Sequence, residues 1–342
     1  MNTPVIAFFN NKGGVGKTSL VYHLSWMFAD LGYRLIATDL DPQANLTAAF
    51  LDEERLEELW PKGNHPSTVF GCIQPLIQGT GDITQPHIEN IEEGSYQPTL
   101  FGSSIGLLVG DLLLSSFEDE LSDAWLGCLG ENPRAFRVIS AFWRMMQKAA
   151  ATHEADFVLM DLGPNLGAIN RAALIAADYV VVPLSPDLFS LQGLRNLGPT
   201  LRKWRSGWNE RLPKNTVADI PLPQGSIQPI GYVVLQHAVR MDRPVKAYDR
   251  WIARIPGEYQ EYVLDQPTYD KITSVLQDPH CLALLKHYRS LMPLAQEAHK
   301  PMFHLKPADG ALGSHMRAVQ GASLDFEKLA LAIAKQAGIP PR

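Results

Sequence analysis

Short, almost wholly apolar runs recur along this chain, separated by longer stretches whose apolar positions return every three or four residues. Val5-Ile6-Ala7-Phe8-Phe9, residues 34–38, Phe157-Val158-Leu159-Met160-Asp161, Tyr179-Val180-Val181-Val182-Pro183 and Gly231-Tyr232-Val233-Val234-Leu235 read as strands buried on both faces. Leu20, Leu24, Met27, Phe28 and Leu31 mark a helical face over residues 18–31, and Gly32 supplies the stop. Strands separated by helices predict an α/β fold, a doubly wound, mostly parallel sheet flanked by helices. Residues 51–102 are rich in Pro, Gly, Asn and Thr, with Glu53, Glu54, Glu57 and Glu58 on a short helix. The region from about 52 to 150 is therefore expected to be peripheral helix and loop. A helical insertion is expected over about 256–300, with helices near 268–277 and 279–290. The chain 1–342 is read as a single domain.

Chemistry enters between the first strand and the first helix, at Asn10-Asn11-Lys12-Gly13-Gly14-Val15-Gly16-Lys17-Thr18. Three glycines let a backbone curl so that successive N–H groups point at an anion, and the helix N-terminus adds its positive end. Lys17 is suited to the β- and γ-phosphates of a nucleotide and the Thr18 hydroxyl to Mg²⁺, with Ser19 following in the same turn. The usual phosphate loop has a glycine where Asn11 stands, followed here by a second lysine. Lys17 already supplies the local charge, so Lys12, on the far side of the loop, is free to be shared with a second molecule.

Two further strands end in acids. Residues 34–38 lead into Asp39-Leu40-Asp41-Pro42-Gln43-Ala44-Asn45-Leu46-Thr47, and the run from Phe157 ends at Asp161. Open α/β sheets bind ligands at the carboxyl ends of their strands. Asp39 is suited to organise the magnesium shell, Asp41 to hold an attacking water or to respond to the γ-phosphate, and Asp161 to polarise a magnesium-bound water.

Composition narrows the class. A hydrophobic content of 46% gives ample core material, and a formal charge of −6 argues against wholesale coating of nucleic acid while leaving room for a local basic patch. Cys72, Cys128 and Cys281 are far apart and suggest a reducing cytosol without a disulfide framework. No run approaches 18 apolar residues, and the chain enters its first strand without a basic start or cleavable apolar region, so a cytoplasmic chain is expected.

Lys12-Gly13-Gly14-Val15-Gly16-Lys17-Thr18 resembles the deviant Walker A ATPases of the ParA/MinD family, a branch of the P-loop NTPases. The segment around Asp41 resembles that family's switch I, and Leu162-Gly163-Pro164-Asn165-Leu166-Gly167 its switch II, although the family usually has a second proline where Gly163 stands. Residues 178–193, Glu297-Ala298 and Pro301 are further landmarks, so the resemblance spans most of 4–337. It implies ATP and Mg²⁺ as ligands and a homodimer formed on ATP binding, with Lys12 reaching the partner's nucleotide and Asp41 positioning water. It also implies slow hydrolysis, segregation of DNA or positioning of another large cargo, a ParB-like or adaptor protein that stimulates turnover, and a cytoplasmic or nucleoid-associated location.

Arg243, Lys246, Arg250 and Arg254 are spaced 3, 4 and 4, along one helical face, and Arg202, Lys203 and Arg205 form a second cluster. By position Arg202 and Arg240 resemble arginines that chromosome-binding members of the family expose. Non-specific DNA contacts are accordingly assigned to Arg202, Arg240, Arg243, Lys246 and Arg250, against an equally weighted reading as an ordinary solvated face. The terminal stretch 323–337 is alanine-rich and weakly charged, suited to docking on the core, and no stable membrane binding is expected. Gly102-Ser103-Ser104-Ile105-Gly106 fits a nucleophile-elbow string, but the following Leu107-Leu108-Val109 looks like strand where that motif needs a helix. Two rival readings remain: a MinD-like membrane-associated regulator, and a metabolic or redox ATPase on the same fold. The redox version needs a cysteine near switch II, and residues 162–167 hold none.

Overall fold

The apolar runs assemble into one eight-stranded sheet in the computed structural model, which describes residues 2–92, 104–217, 219–235, 250–266, 274–288 and 291–342. The strands are β1 (Val5–Phe8), β2 (Leu35–Asp39), β3 (Glu89–Ile91), β4 (Ile105–Leu108), β5 (Phe157–Asp161), β6 (Tyr179–Leu184), β7 (Gln228–Leu235) and β8 (Cys281–Leu285). Their order is β3-β4-β2-β5-β1-β6-β7-β8, parallel throughout except for β3 at the edge.

The apolar runs are continuous because both faces are covered. Val5, Ala7, Val158 and Met160 point into one core with helices α7 (Ala141–His153), α8 (Ala168–Ile175) and α9 (Leu188–Arg211). Ile6, Phe8, Phe157 and Leu159 point into the other, against α1 (Lys17–Asp30) and the terminal helix α11 (Ser314–Gln336). Alternate residues of a strand face opposite ways, so a run such as Val-Leu-Met feeds two cores. Phe326, Leu329 and Ile333 bury the terminal helix, the docking expected for 323–337. Gly32 (φ 87°) ends α1 through the left-handed conformation that glycine tolerates. The remaining helices used below are α2 (Asn45–Phe50), α3 (Glu53–Leu59), α4 (Val69–Gln78), α5 (Glu118–Gly127), α6 (Pro133–Ile139) and α10 (Met292–Glu297).

Three sequence expectations are corrected. The region 52–150 is not wholly peripheral: β4 pairs with β2 inside the sheet and carries β3 on its outer edge. The segment 279–290 contains strand β8 rather than a helix, because Cys281-Leu282-Ala283-Leu284-Leu285 completes the open edge of β7. A five-residue apolar run is ambiguous by periodicity alone, and here the unpaired edge decides it. Of the helix expected at 268–277, residues 268–273 lie outside the described residues, and Val275–Gln277 forms a single 3₁₀ turn. The elbow string is followed by strand β4, so its geometry is not that of a nucleophile elbow.

Candidate nucleotide-binding site

The loop between β1 and α1 is shaped by two glycines at left-handed dihedrals, Gly14 (φ 71°) and Gly16 (φ 85°), where an L side chain would be strained by roughly 1–2 kcal/mol. Asn10 pins it from below: its Nδ2 donates to Pro183 O (2.7 Å) and its Oδ1 accepts from Lys12 N (3.0 Å). Val15 is buried and anchors the loop, while Gly13 and Gly14 remain exposed. Helix α1 has neither a side-chain cap nor an acid in its first turn, so its leading N–H groups are left for an external anion. Lys17 is buried, with Nζ 3.5 Å from Lys12 O. Burial lowers its pKa, opposed by the Asp161 and Asp41 carboxylates. Thr18 and Ser19 are half-buried at the start of α1.

Sheet register places Asp39 and Asp161 side by side at the carboxyl ends of β2 and β5. Both are fully buried. Thr47 holds Asp39, donating to Oδ2 from its N–H (2.8 Å) and its hydroxyl (2.9 Å), and the same hydroxyl accepts from Gly110 N (2.8 Å). Burial pushes the Asp39 carboxyl well above the ordinary range, with Asp41 adding to the effect. Asp161 is pushed up by burial and then by Asp39, against the opposing influence of Thr18 and Lys17. Both Asp161 oxygens are buried without a well-formed hydrogen bond, the nearby Thr18 hydroxyl notwithstanding. Two crowded carboxylates with unfilled lone pairs fit a divalent cation, which would relieve both burial and repulsion. Among the described residues no three His, Cys, Asp or Glu side chains form a metal cage. Magnesium keeps several waters and substrate phosphates and needs few protein ligands. Thr18, Asp39 and Asp161 are the groups that could hold such a cation.

Asp41 lies one turn beyond, nearly buried, its Oδ1 accepting from Gln43 N (3.0 Å). Gly163 packs against it: a Cβ there would stand 3.1 Å from Asp41 Oδ1. Lys12 forms an ion pair with Asp187 of its own chain, and its Nζ lies 6.0 Å from the centre of the exposed Phe189 ring. Asp187 also caps α9 by accepting from Ser190 N (2.9 Å). Beside the start of α1, a largely apolar cavity of about 240 Å³ is bounded by Gly16, Ser19, Leu20, Leu235, Leu285 and Tyr288.

The proposed DNA contacts fare differently. Arg202 is committed within the chain, donating to Tyr262 O (2.8 Å) and pairing with Asp265 (3.4 Å), so it is not the free cation expected. Arg250 is exposed at a helix end, 5.5 Å from the Trp251 ring. Arg240, Arg243 and Lys246 lie outside the described residues. Sequence reasoning passed over Thr47, Asp187, Glu118 and Asn170. Thr47 closes the switch I string and Asp187 has the spacing of a helix cap before Ser190, signals legible in principle; Glu118 and Asn170 had none.

A phosphate loop opening a helix, two strand-end acids beside it and a parallel sheet define a P-loop NTPase with the deviant Walker A arrangement. A family model described as AAA domain matches residues 3–214, and the chain belongs to that family. It is ParA-like. IncC of Escherichia coli is 31% identical over 205 residues, covering 60% of this chain and 47% of IncC. The chromosome-partitioning ATPase Soj of Thermus thermophilus is 30% identical over 210 residues, covering 60% of this chain and 65% of Soj. A putative replication protein A of Rhizobium rhizogenes is 31% identical over 191 residues, covering 56% of this chain and 42% of that protein. The chain thus spans less than two thirds of these relatives' own length. Among solved structures, protein DIP2308 of Corynebacterium diphtheriae superimposes with a TM-score of 0.69 at 24% identity, covering 98% and 99% of the two chains. A plasmid partition protein of Borrelia burgdorferi bound to AMPPNP gives 0.57 at 15%, covering 98% and 100%. At such identities the likeness is one of fold.

Proposed function

We propose that this chain is an ATPase that works as a dimerisation switch and positions or segregates DNA or another large cargo. The observation that carries the reading is the placement of Lys17 and Thr18 over the Asp39–Asp161 pair, with a second lysine, Lys12, at the loop's outer rim. The N–H groups of Gly13, Gly14, Val15 and Gly16 cradle the phosphates, and Lys17 neutralises them. Magnesium, when bound, supplies charge neutralisation at the β- and γ-phosphates. Thr18, Asp39 and Asp161 would hold it. Asp41 holds the attacking water in line with the γ-phosphate.

Lys12 rests on Asp187 in the single subunit and exchanges that carboxylate for the partner's nucleotide when two chains close face to face. A ligand shifts such an equilibrium only by its differential affinity for the two states, and the γ-phosphate bridged by a Lys12 from each side supplies that difference. Hydrolysis, slow by itself and stimulated by a ParB-like or adaptor protein, returns the monomer. DNA contacts are sequence-indifferent and weak per subunit, gain from the doubling of charge in the dimer, and include Arg250; they are steeply salt-dependent.

The deciding experiment is light scattering on the Asp41→Ala variant with ATP, ADP or neither, with and without duplex DNA at low salt. A dimer seen only with ATP, retaining DNA better than the monomer, is the expected result. A monomer under all three conditions would refute the switch. An ATP-dependent dimer with unchanged DNA retention would refute the DNA arm alone.

A further inference from the structure

The loop from Leu162 to Gly167 runs between the phosphate loop and Asp41, and its backbone has two features that work against rigidity. Gly163 restricts its own dihedrals least of all residues, and Pro164, Asn165 and Leu166 are exposed and packed on little. Pro164 nevertheless reaches the phosphate loop, its Cγ standing 3.7 Å from where a Gly13 Cβ would be. Beyond the buried Leu162 and the contact of Pro164 with Gly13, something other than packing therefore sets the turn from Gly163 to Gly167.

That something is a side chain on the following helix. Asn170, in the first turn of α8 and almost wholly buried, directs Nδ2 back at the loop, at 2.8 Å from Gly163 O, 2.7 Å from Asn165 O and 3.1 Å from Asn165 Oδ1. All three partners are acceptors, so only the amino end of the amide fits there. Asn165 Oδ1 accepts in addition from Gly167 N at 2.9 Å, closing the turn. The start of α8 is in turn fixed by Glu118, whose carboxylate accepts from Ala168 N and from Ile169 N (3.0 Å). It fills the space in which a Cβ at Gly167 would come within 2.5 Å of Glu118 Oε1. On the loop's opposite side, the Asp41 carboxylate lies where only a glycine at 163 leaves ordinary room.

We propose that Asn170 is a positioning residue for hydrolysis: its amide locks Gly163 so that the Asp41 carboxylate keeps its place over the reacting phosphate. Asn170 touches neither the nucleotide nor the water. It acts through the Gly163 carbonyl and the backbone that shapes the Asp41 pocket. The inference rests on the ATPase reading above and names the residue that makes its water-holding acid stay in line.

The consequence is a separation of binding from turnover. The phosphate loop, Lys17 and the Asp39–Asp161 pair are untouched by the Asn170 amide, so nucleotide affinity is retained. Displacement of a reacting group by about 1 Å is enough to lower a rate on the order of a hundredfold. The test measures kcat by phosphate release and Kd by a fluorescent ATP analogue, with melting temperatures, on the wild type, Asn170→Ala and Gly163→Ala. Gly163→Ala approaches the same geometry from the other side and decides the matter if Asn170→Ala does not fold. Expected is a kcat lower by about tenfold or more in both variants, with Kd within about threefold of wild type. Turnover within about twofold of wild type, or a Kd that weakens in step with kcat and melting temperature, overturns the positioning role. A wild type that binds ATP and never hydrolyses it overturns the ATPase reading instead, and this inference with it.

Discussion

Replacing Asp161 with asparagine turns the electrostatics of the buried acid pair into a measurement. Burial and the neighbouring Asp39 push the Asp161 carboxyl up to about 8, and Asp39 itself rises to about 7. An unfolded aspartate ionises near 3.9. A carboxyl raised in this way stabilises the folded state fully only below the unfolded value, and that contribution is lost as pH rises through the folded value. The nucleotide-free protein should therefore lose stability steadily between about pH 4 and pH 8. At ~1.4 kcal/mol per tenfold change in proton affinity, a rise of about four units makes ionising Asp161 in the folded chain at pH 8 cost up to roughly 5 kcal/mol, part of it the repulsion shared with Asp39. Asp161→Asn removes one charge at nearly constant shape, at a cost of about 1 kcal/mol for an imperfectly bonded amide. The net gain of up to roughly 4 kcal/mol at pH 8 should raise the melting temperature by several degrees, and should vanish near pH 4. The assay is a series of thermal melts from pH 5 to 8.5, without ligand and with Mg²⁺-ADP. Wild type should gain more from Mg²⁺-ADP than the variant, because the cation has two carboxylates to neutralise in one and a single one in the other. An Asp161→Asn protein that melts below wild type at pH 8, with an unchanged pH slope, would refute the reasoning.

Lys12→Ala leaves Asp187 with its capping bond to Ser190 and removes a partly exposed ion pair worth no more than about 1 kcal/mol; monomer melting and monomer ATP affinity should barely change while ATP-dependent association is lost, as sedimentation would record. Gly110→Ala would force a Cβ to 2.8 Å from the Asp39 carboxylate, so magnesium dependence of nucleotide binding should weaken by about tenfold or more, measured by Mg²⁺ titration. Arg202→Ala removes bonds to the Tyr262 carbonyl and Asp265 rather than a DNA contact, so it should lower stability by about 1 kcal/mol and leave duplex retention at low salt unaltered.

The amino-acid order by itself determined the phosphate loop, the two strand-end acids and five of the parallel strands. Each of these is local: glycine offsets, an apolar run, an acid at its end. The same local rules misread 279–290, where Cys281 to Leu285 joins the sheet because β7, which ends as far back as Leu235, offers an unpaired edge. They also took Arg202 for a surface cation, since nothing near it in sequence announces Tyr262 or Asp265. Only tertiary structure set Asp39 against Asp161, gave Asp187 to Lys12 and brought Asn170 under Gly163. The physical reason is range. Backbone dihedrals and burial patterns are written in neighbouring residues, whereas the pKa of a buried acid and the hold on a glycine depend on groups that meet only after the sheet has closed.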